Sequence, residues 1–186
     1  KPLTQTLQKS GSMLRFESAD SSKVSQFSKD LFTHSRLNAY TSWTEFCDEA
    51  LRLWEIHKQY ARCALIQRLG VRYINKIPLP AANPEEYFNC LPVMPEGFDG
   101  TFANFVHQDT LNVPGHSYAI RLVKTIDLRQ TVETPNPSLI LDIDVITLEP
   151  FAIDGKELKR KLLDMRWLKN KVFFGILTEK AVEGYK

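Results

Sequence analysis

The sequence predicts an α+β fold, with antiparallel sheet or sheets of about six to seven strands and two long amphipathic helices packed on one face. Three observations carry this expectation. Short strand-like runs separated by turn residues precede a strongly periodic helix. Several alternating runs follow, and a second periodic helix closes the chain. A three-strand run followed by a long amphipathic helix thus occurs twice, which leaves open two degenerate repeats.

The first runs are "MLRFES", "KVSQFS" and "DLFTHS", a meander with turns at "ADSS" and near Lys29-Asp30. A helix then opens at Thr41 and Ser42, where Ser42 and Glu45 have capping-box spacing. Trp43, Phe46, Cys47, Ala50, Trp54, His57 and Ala61 follow helical spacing, so this helix should lie on a sheet with Trp43 and Trp54 inward. Residues 65–77 read as one strand. Its odd positions are mainly apolar, and its even positions carry Arg68, Arg72 and Lys76. Gly70 marks a bulge or a close backbone approach there.

Residues 78–100 hold five prolines and read as irregular cover, with a short helix signalled by Asn83, Pro84 and Glu86. Residues 101–107 form a candidate strand, and "QDTLNVPGH" reads as a turn. Residues 117–129 alternate well, with Tyr118, Ile120, Leu122, Ile126 and Leu128 on one face. "QTVETPNPS" is a loop. Residues 138–148, "SLILDIDVITL", make a strongly apolar strand expected at the centre of the sheet. Asp154 and Glu157 cap a last helix over residues 156–178. Its buried stripe is Leu158, Leu162, Met165, Val172, Phe173 and Ile176, and its outer face is basic.

With 186 residues, the chain can bury roughly 70% of its unfolded surface without a staple. Residues 12–186 are expected to form a single α+β domain, and residues 1–11, polar and aperiodic, a linker or loose end. A start at Lys1 rather than Met predicts the C-terminal part of a longer protein. The net charge of +2 creates no strong field for polyanions, so coating of nucleic acid is not expected. No run approaches the ~20 apolar residues of a membrane span. Three cysteines, Cys47, Cys63 and Cys90, fit a reducing, cytoplasmic setting. Cys47 and Cys63, at either end of one helix, lie ~24 Å apart and cannot bond to each other.

Arg68 and Arg72 share a face, with Cα atoms ~13 Å apart. That spacing suits two anionic groups or an acidic protein strip better than a single phosphate. Asp142 and Asp144 share a face of the apolar strand. If the two strands are neighbours, the four side chains form a charge quartet, either a ladder of cross-strand ion pairs or a recognition surface. Two carboxylates ~6.6 Å apart would hold a metal only with a third ligand, and the strand offers none. The four histidines, His34, His57, His107 and His116, have no zinc spacing among themselves or with cysteine. His57 reads as a core histidine, and His107 and His116 flank a Pro-Gly turn. No nucleophile elbow surrounds Ser117, no local signature supports a Cys90–histidine dyad, and Gly155-Lys156 lacks the rest of a phosphate loop.

The run Arg68-Leu69-Gly70-Val71-Arg72-Tyr73-Ile74-Asn75, preceded by the Trp-bearing helix, resembles the signature of an uncharacterised, sporadically distributed prokaryotic family. That family is defined by an Arg-Leu-Gly-x-Arg-Tyr-x-Asn motif. The turn at Pro78-Leu79-Pro80, the strand Leu141-Asp142-Ile143-Asp144 and the closing Phe173-Phe174 pair extend the likeness over residues 14–178. The resemblance implies further chain ahead of these residues, and it transfers no activity and no catalytic residue.

The candidate ligand-binding residues are therefore Arg68, Arg72, Asn75, Asp142 and Asp144. They imply a non-enzymatic binding or regulatory module, without cofactor or metal, for a protein partner or small anionic ligand. Two alternatives stand beside it. One is a nucleic-acid-associated defence or toxin-regulating component using the basic last helix, where Trp167 is the one evident interleaved aromatic. The other is a metal-dependent hydrolase using Asp142, Asp144 and a histidine.

Overall fold

The computed structural model describes residues 13–37, 40–61, 64–79, 84–100, 104–128 and 136–183. The chain divides into two units, Lys1–Ala64 and Leu65–Lys186. The expected linker at residues 1–11, Cys63, Asn83, Pro80 of the Pro-Leu-Pro turn and most of the loop after residue 129 lie outside the described residues.

In the first unit, β1 (Leu14–Glu17), β2 (Lys23–Phe27) and β3 (Phe32–Arg36) form the expected antiparallel meander. The β1–β2 turn is organised by Asp20. Its carboxylate accepts hydrogen bonds from the Ser18 hydroxyl at 2.6 Å, the Ser22 hydroxyl at 2.8 Å and the Ser22 amide at 3.1 Å. These donors hold the carboxyl far below its usual range. Helix α1 (Trp43–Ala61) starts where expected, with the Ser42 hydroxyl accepting from the Glu45 amide at 3.2 Å. The reciprocal half of the capping box is replaced, because Glu45 accepts from the Thr41 hydroxyl.

Alternation places Phe16, Phe27, Phe32 and His34 on the sheet face that meets α1. The Phe27 ring lies 5.7 Å from Phe16 and 5.2 Å from Phe32. From the helix, Trp54 and His57 stand 6.1 Å and 5.8 Å from Phe32. Trp43 is buried and packs on Phe46. This small unit is held by an aromatic core, in which each ring buries more area than an aliphatic side chain does.

In the second unit the main sheet has the order β5-β8-β7-β6, antiparallel throughout. Its strands are β5 (Gly70–Pro78), β6 (Val106–Asn112), β7 (Tyr118–Asp127) and β8 (Ser138–Thr147). A separate ribbon pairs β4 (Leu65–Ile66) with β9 (Phe151–Ala152). Strand β8 is central, and Leu139, Leu141, Ile143 and Val145 have 0% exposure. Helix α2 (Gly155–Ile176) covers that face, burying Leu158, Met165, Leu168 and Ile176. Asp154 caps it as expected, accepting from the Lys156 amide at 3.0 Å. The helix stops at Ile176, and Leu177 bridges to Phe88, followed by the short α3 (Glu179–Glu183). A 3-10 turn at Pro84–Glu86 fills the expected short-helix position.

Three expectations are corrected. The described strands form sheets of three, two and four strands, not one layer of six to seven, and the two long helices each cover a different sheet. Alternation identifies strands but not their hydrogen-bonding partners. The strand expected over 65–77 is interrupted. Ile66 pairs with Phe151 and Gly70 with Ile146, so three residues on one side oppose four on the other. Pro150, which has no amide proton to give to the ladder, sits on the longer side. Finally, of the strand expected at 101–107, residues 101–103 lie outside the described residues, the described strand runs over Val106–Asn112, and the turn is confined to Val113–His116, where Gly115 takes φ +74°. Nearly all of β6 is exposed on both faces, so this edge strand lacks the alternation that would reveal it.

Candidate binding surface

The strand register places Arg72, Asp144 and Arg121 on one rung of the outer sheet face, and Ile74, Asp142 and Val123 on the next. These are the residues that alternate away from α2. Arg72 does not pair with Asp144 directly opposite. Its Nε and Nη2 donate to the two oxygens of Asp142 at 2.8 Å and 2.5 Å, a bidentate fork. Asp144 is taken instead by Arg68, whose Nη2 donates at 3.0 Å. Arg68 lies in the interrupted stretch before β5, so its side chain crosses over Gly70. A β-carbon at Gly70 would stand 3.4 Å from Asp144 and 3.6 Å from the Arg68 guanidinium. The glycine lies directly beneath this crossing, where a β-carbon would make ordinary contact and a larger side chain would meet the guanidinium.

The sequence-derived quartet is therefore assembled as two crossed ion pairs. Both guanidiniums are more than half exposed, while Asp142 and Asp144 are 16% and 15% exposed. Burial pushes the Asp144 carboxyl up, against the pull of Arg68, Arg72 and Arg121. The hydrogen bonds to Asp142 push the Arg72 guanidinium up. Lys76 adds a third pair on this face, 3.1 Å from Asp127.

Asn75 does not join them. It alternates to the face covered by α2, where its amide donates to the Leu141 carbonyl at 3.1 Å. Leu69 and Tyr73 are also engaged. The Leu69 amide donates to the Thr147 hydroxyl at 3.0 Å, and the Lys169 ammonium lies 4.0 Å from the Tyr73 ring centre. The segment Arg68–Asn75 is thus tied to β8 or α2 by five of its side chains or amides.

Sequence reasoning missed Arg121. It is exposed, and among the described residues it makes no hydrogen bond or ion pair, acting on Asp144 only through its field. Its face was legible from alternation, but its rung was not. It also missed Lys124, although the signal was present: Lys124 interrupts the apolar positions Tyr118, Ile120, Leu122 and Ile126. Its side chain is 8% exposed and its ammonium lies 3.0 Å from Asp109, whose other oxygen lies 3.0 Å from His107. The hydrogen bond from Lys124 holds the Asp109 carboxyl low. Cys90 lies within the field of Lys124, but burial pushes its thiol up, away from the reactive thiolate. His107 and His116, on either side of the Pro-Gly turn, are separated by most of β6.

A third cluster lies in the first unit. The Ser25 hydroxyl is 2.9 Å from Nδ1 of His34, and His34 Nε2 is 3.7 Å from Glu49, which Lys23 clamps at 2.7 Å. The order Ser–His–Glu has the composition of a nucleophilic triad. The His34 side chain, however, is 2% exposed and its ring is stacked 5.4 Å from Phe46. Burial lowers the basicity of His34 and outweighs the pull of Glu49. This is a closed cross-strand clasp with no room for a substrate at the ring.

For the metal reading, both oxygens of Asp142 face Arg72, and among the described residues no three His, Cys, Asp or Glu side chains converge. No described helix is long and apolar enough to cross a membrane. Compared with known proteins, the chain matches no family model, no curated protein and no solved structure.

Proposed function

We propose that the second unit is a non-enzymatic binding module that takes an acidic segment of a protein partner, or a small anionic ligand, on the outer face of its main sheet. The observation that carries this reading is Arg121. It stands on the rung of Arg72 and Asp144, about 10 Å from Arg72 across β8. Arg68, Arg72 and Arg121 face two carboxylates, so this group keeps one positive charge in excess. Ile74, beside them, is 63% exposed. Arginine is enriched at recognition surfaces, and Ile74 supplies exposed apolar area beside the cluster. Assignment to the Arg-Leu-Gly-x-Arg-Tyr-x-Asn family and a cytoplasmic setting belong to the same proposal.

The test is a chemical-shift titration of the full chain with a hexaglutamate peptide and, separately, inorganic phosphate. Shifts centred on Arg72, Ile74 and Arg121, and their loss in Arg121→Ala, are expected. Saturating shifts elsewhere, or none with either probe, would overturn the reading.

A further inference from the structure

Helix α2 has a second surface, on the opposite side of the unit from the charged sheet face. Its inner stripe is fully used: Met165 has 0% exposure and Leu168 7%. On the diametrically opposite side, Leu163, Trp167 and Phe174 are 55%, 60% and 56% exposed. Their spacing of four and seven residues puts them in one line along the helix. The line spans eleven residues, about 16 Å or three turns. A shallow hollow between Leu163, Arg166, Trp167 and Asn170 indents it. Scattered single apolar residues are ordinary on a surface; three large ones aligned on one helix face are an interaction feature.

The charge on that face selects the occupant. The most exposed charged residues of α2 are cations, namely Lys156, Lys159, Arg160, Arg166 and Lys171. Glu157 and Asp164 lie toward its flank, where Arg160 reaches both at 4.0 Å and 3.8 Å. Lys171 lies 4.9 Å from the Trp167 ring centre, beside the apolar line. The chain's own polar N-terminal segment, residues 1–12, carries two lysines and no acid, so its charge does not complement this surface. Leu163 and Phe174 would gain nothing from a phosphate backbone, and leucine offers no ring on which a base could stack.

We propose that the outward face of α2 docks an acidic amphipathic helix of a partner protein. The partner helix lays apolar side chains along Leu163, Trp167 and Phe174 over about three turns. Its flanking carboxylates meet Arg166, Lys171 and Lys159. This is the side-by-side packing of two amphipathic helices, with the charge flanks setting partner choice.

The experiment titrates the full chain by calorimetry with an eighteen-residue helical peptide. The peptide carries leucine or phenylalanine at positions i, i+4, i+7 and i+11, with glutamates on both flanks. Saturable binding is expected, weakened at least about tenfold by Trp167→Ala with Phe174→Ala and by Arg166→Glu with Lys171→Glu. All four substitutions fall on exposed positions, and unchanged far-ultraviolet dichroism verifies that the fold is kept. The same peptide with lysine for glutamate should not bind. No saturable binding, or equal binding of the glutamate and lysine peptides, overturns the proposal. So does binding confined to phosphatidylserine vesicles or to a single-stranded oligonucleotide. Because Arg121 lies on the other side of the unit, Arg121→Ala should leave this binding unchanged, which separates the result from that of the sheet face.

Discussion

Arg72 stands directly across the β5–β8 ladder from Asp144, yet both of its hydrogen bonds go to Asp142, one rung away. Asp144 is held instead by Arg68, whose guanidinium passes over the bare backbone of Gly70. Each carboxylate has its own guanidinium, and neither acid is left facing the other unpaired.

Arg72→Ala should therefore destabilise the chain by about 1–3 kcal/mol, chiefly by stranding the largely buried Asp142. Arg72→Lys should recover only part of this, since a point charge cannot reproduce the fork. Urea unfolding of the two variants and of Arg72→Ala with Asp142→Ala checks both statements. The double variant should cost less than the sum of the single ones.

Gly70 supplies a graded test of the crossing. Gly70→Ala places its β-carbon at ordinary contact distance and should change stability by about 1 kcal/mol or less. Gly70→Val projects further into the path of the Arg68 guanidinium. It should cost clearly more than alanine and should make Arg68→Ala nearly neutral in its presence, again read by urea unfolding.

The Lys124–Asp109 pair, buried on its lysine side only, makes an asymmetric prediction. Asp109→Ala leaves an ammonium on the apolar face of β7 and should cost about 3 kcal/mol or more. Lys124→Met fits that face and leaves Asp109 with His107, so it should be near neutral or stabilising. Reversal of this order in thermal unfolding would refute the pairing.

His34 and His57 are both held below their usual basicity by burial. Unfolding releases them, so the unfolded chain binds more protons once the pH drops under about 6.5. Stability is then complete above that pH and declines on acidification, by up to about 1.4 kcal/mol per pH unit for each ring. Asp20 and Glu49, both held low, extend the loss below the carboxylate range. Melting temperatures between pH 7.5 and 5 should fall, and His57→Phe should flatten that slope.

Much of this was legible in the chain. The alternation of Leu139, Leu141, Ile143 and Val145 with Asp142 and Asp144 gave both the inner and the outer face of β8. The period of Trp43, Phe46, Trp54 and His57 defined α1 and its inward side. What escaped depends on partners distant in sequence. The break before Gly70 shows only against its partner segment between Ile146 and Phe151, which is distant in sequence. β6 is an exposed edge, so burial wrote no pattern into it. The Ser25–His34 clasp exists because two strands pair in one register, and neither residue signals the other. Arg121 looked like any solvent-facing arginine until the register set it beside Arg72.

Strand β8 also guards the fidelity of folding. A slip of one residue against β5 and β7 would thrust two carboxylates under α2 and strip four aliphatic side chains of their cover. Misaligned versions of this sheet are thus penalised twice over, by trapped charge and by wetted oil, and the growing hairpins have one alignment in which to settle.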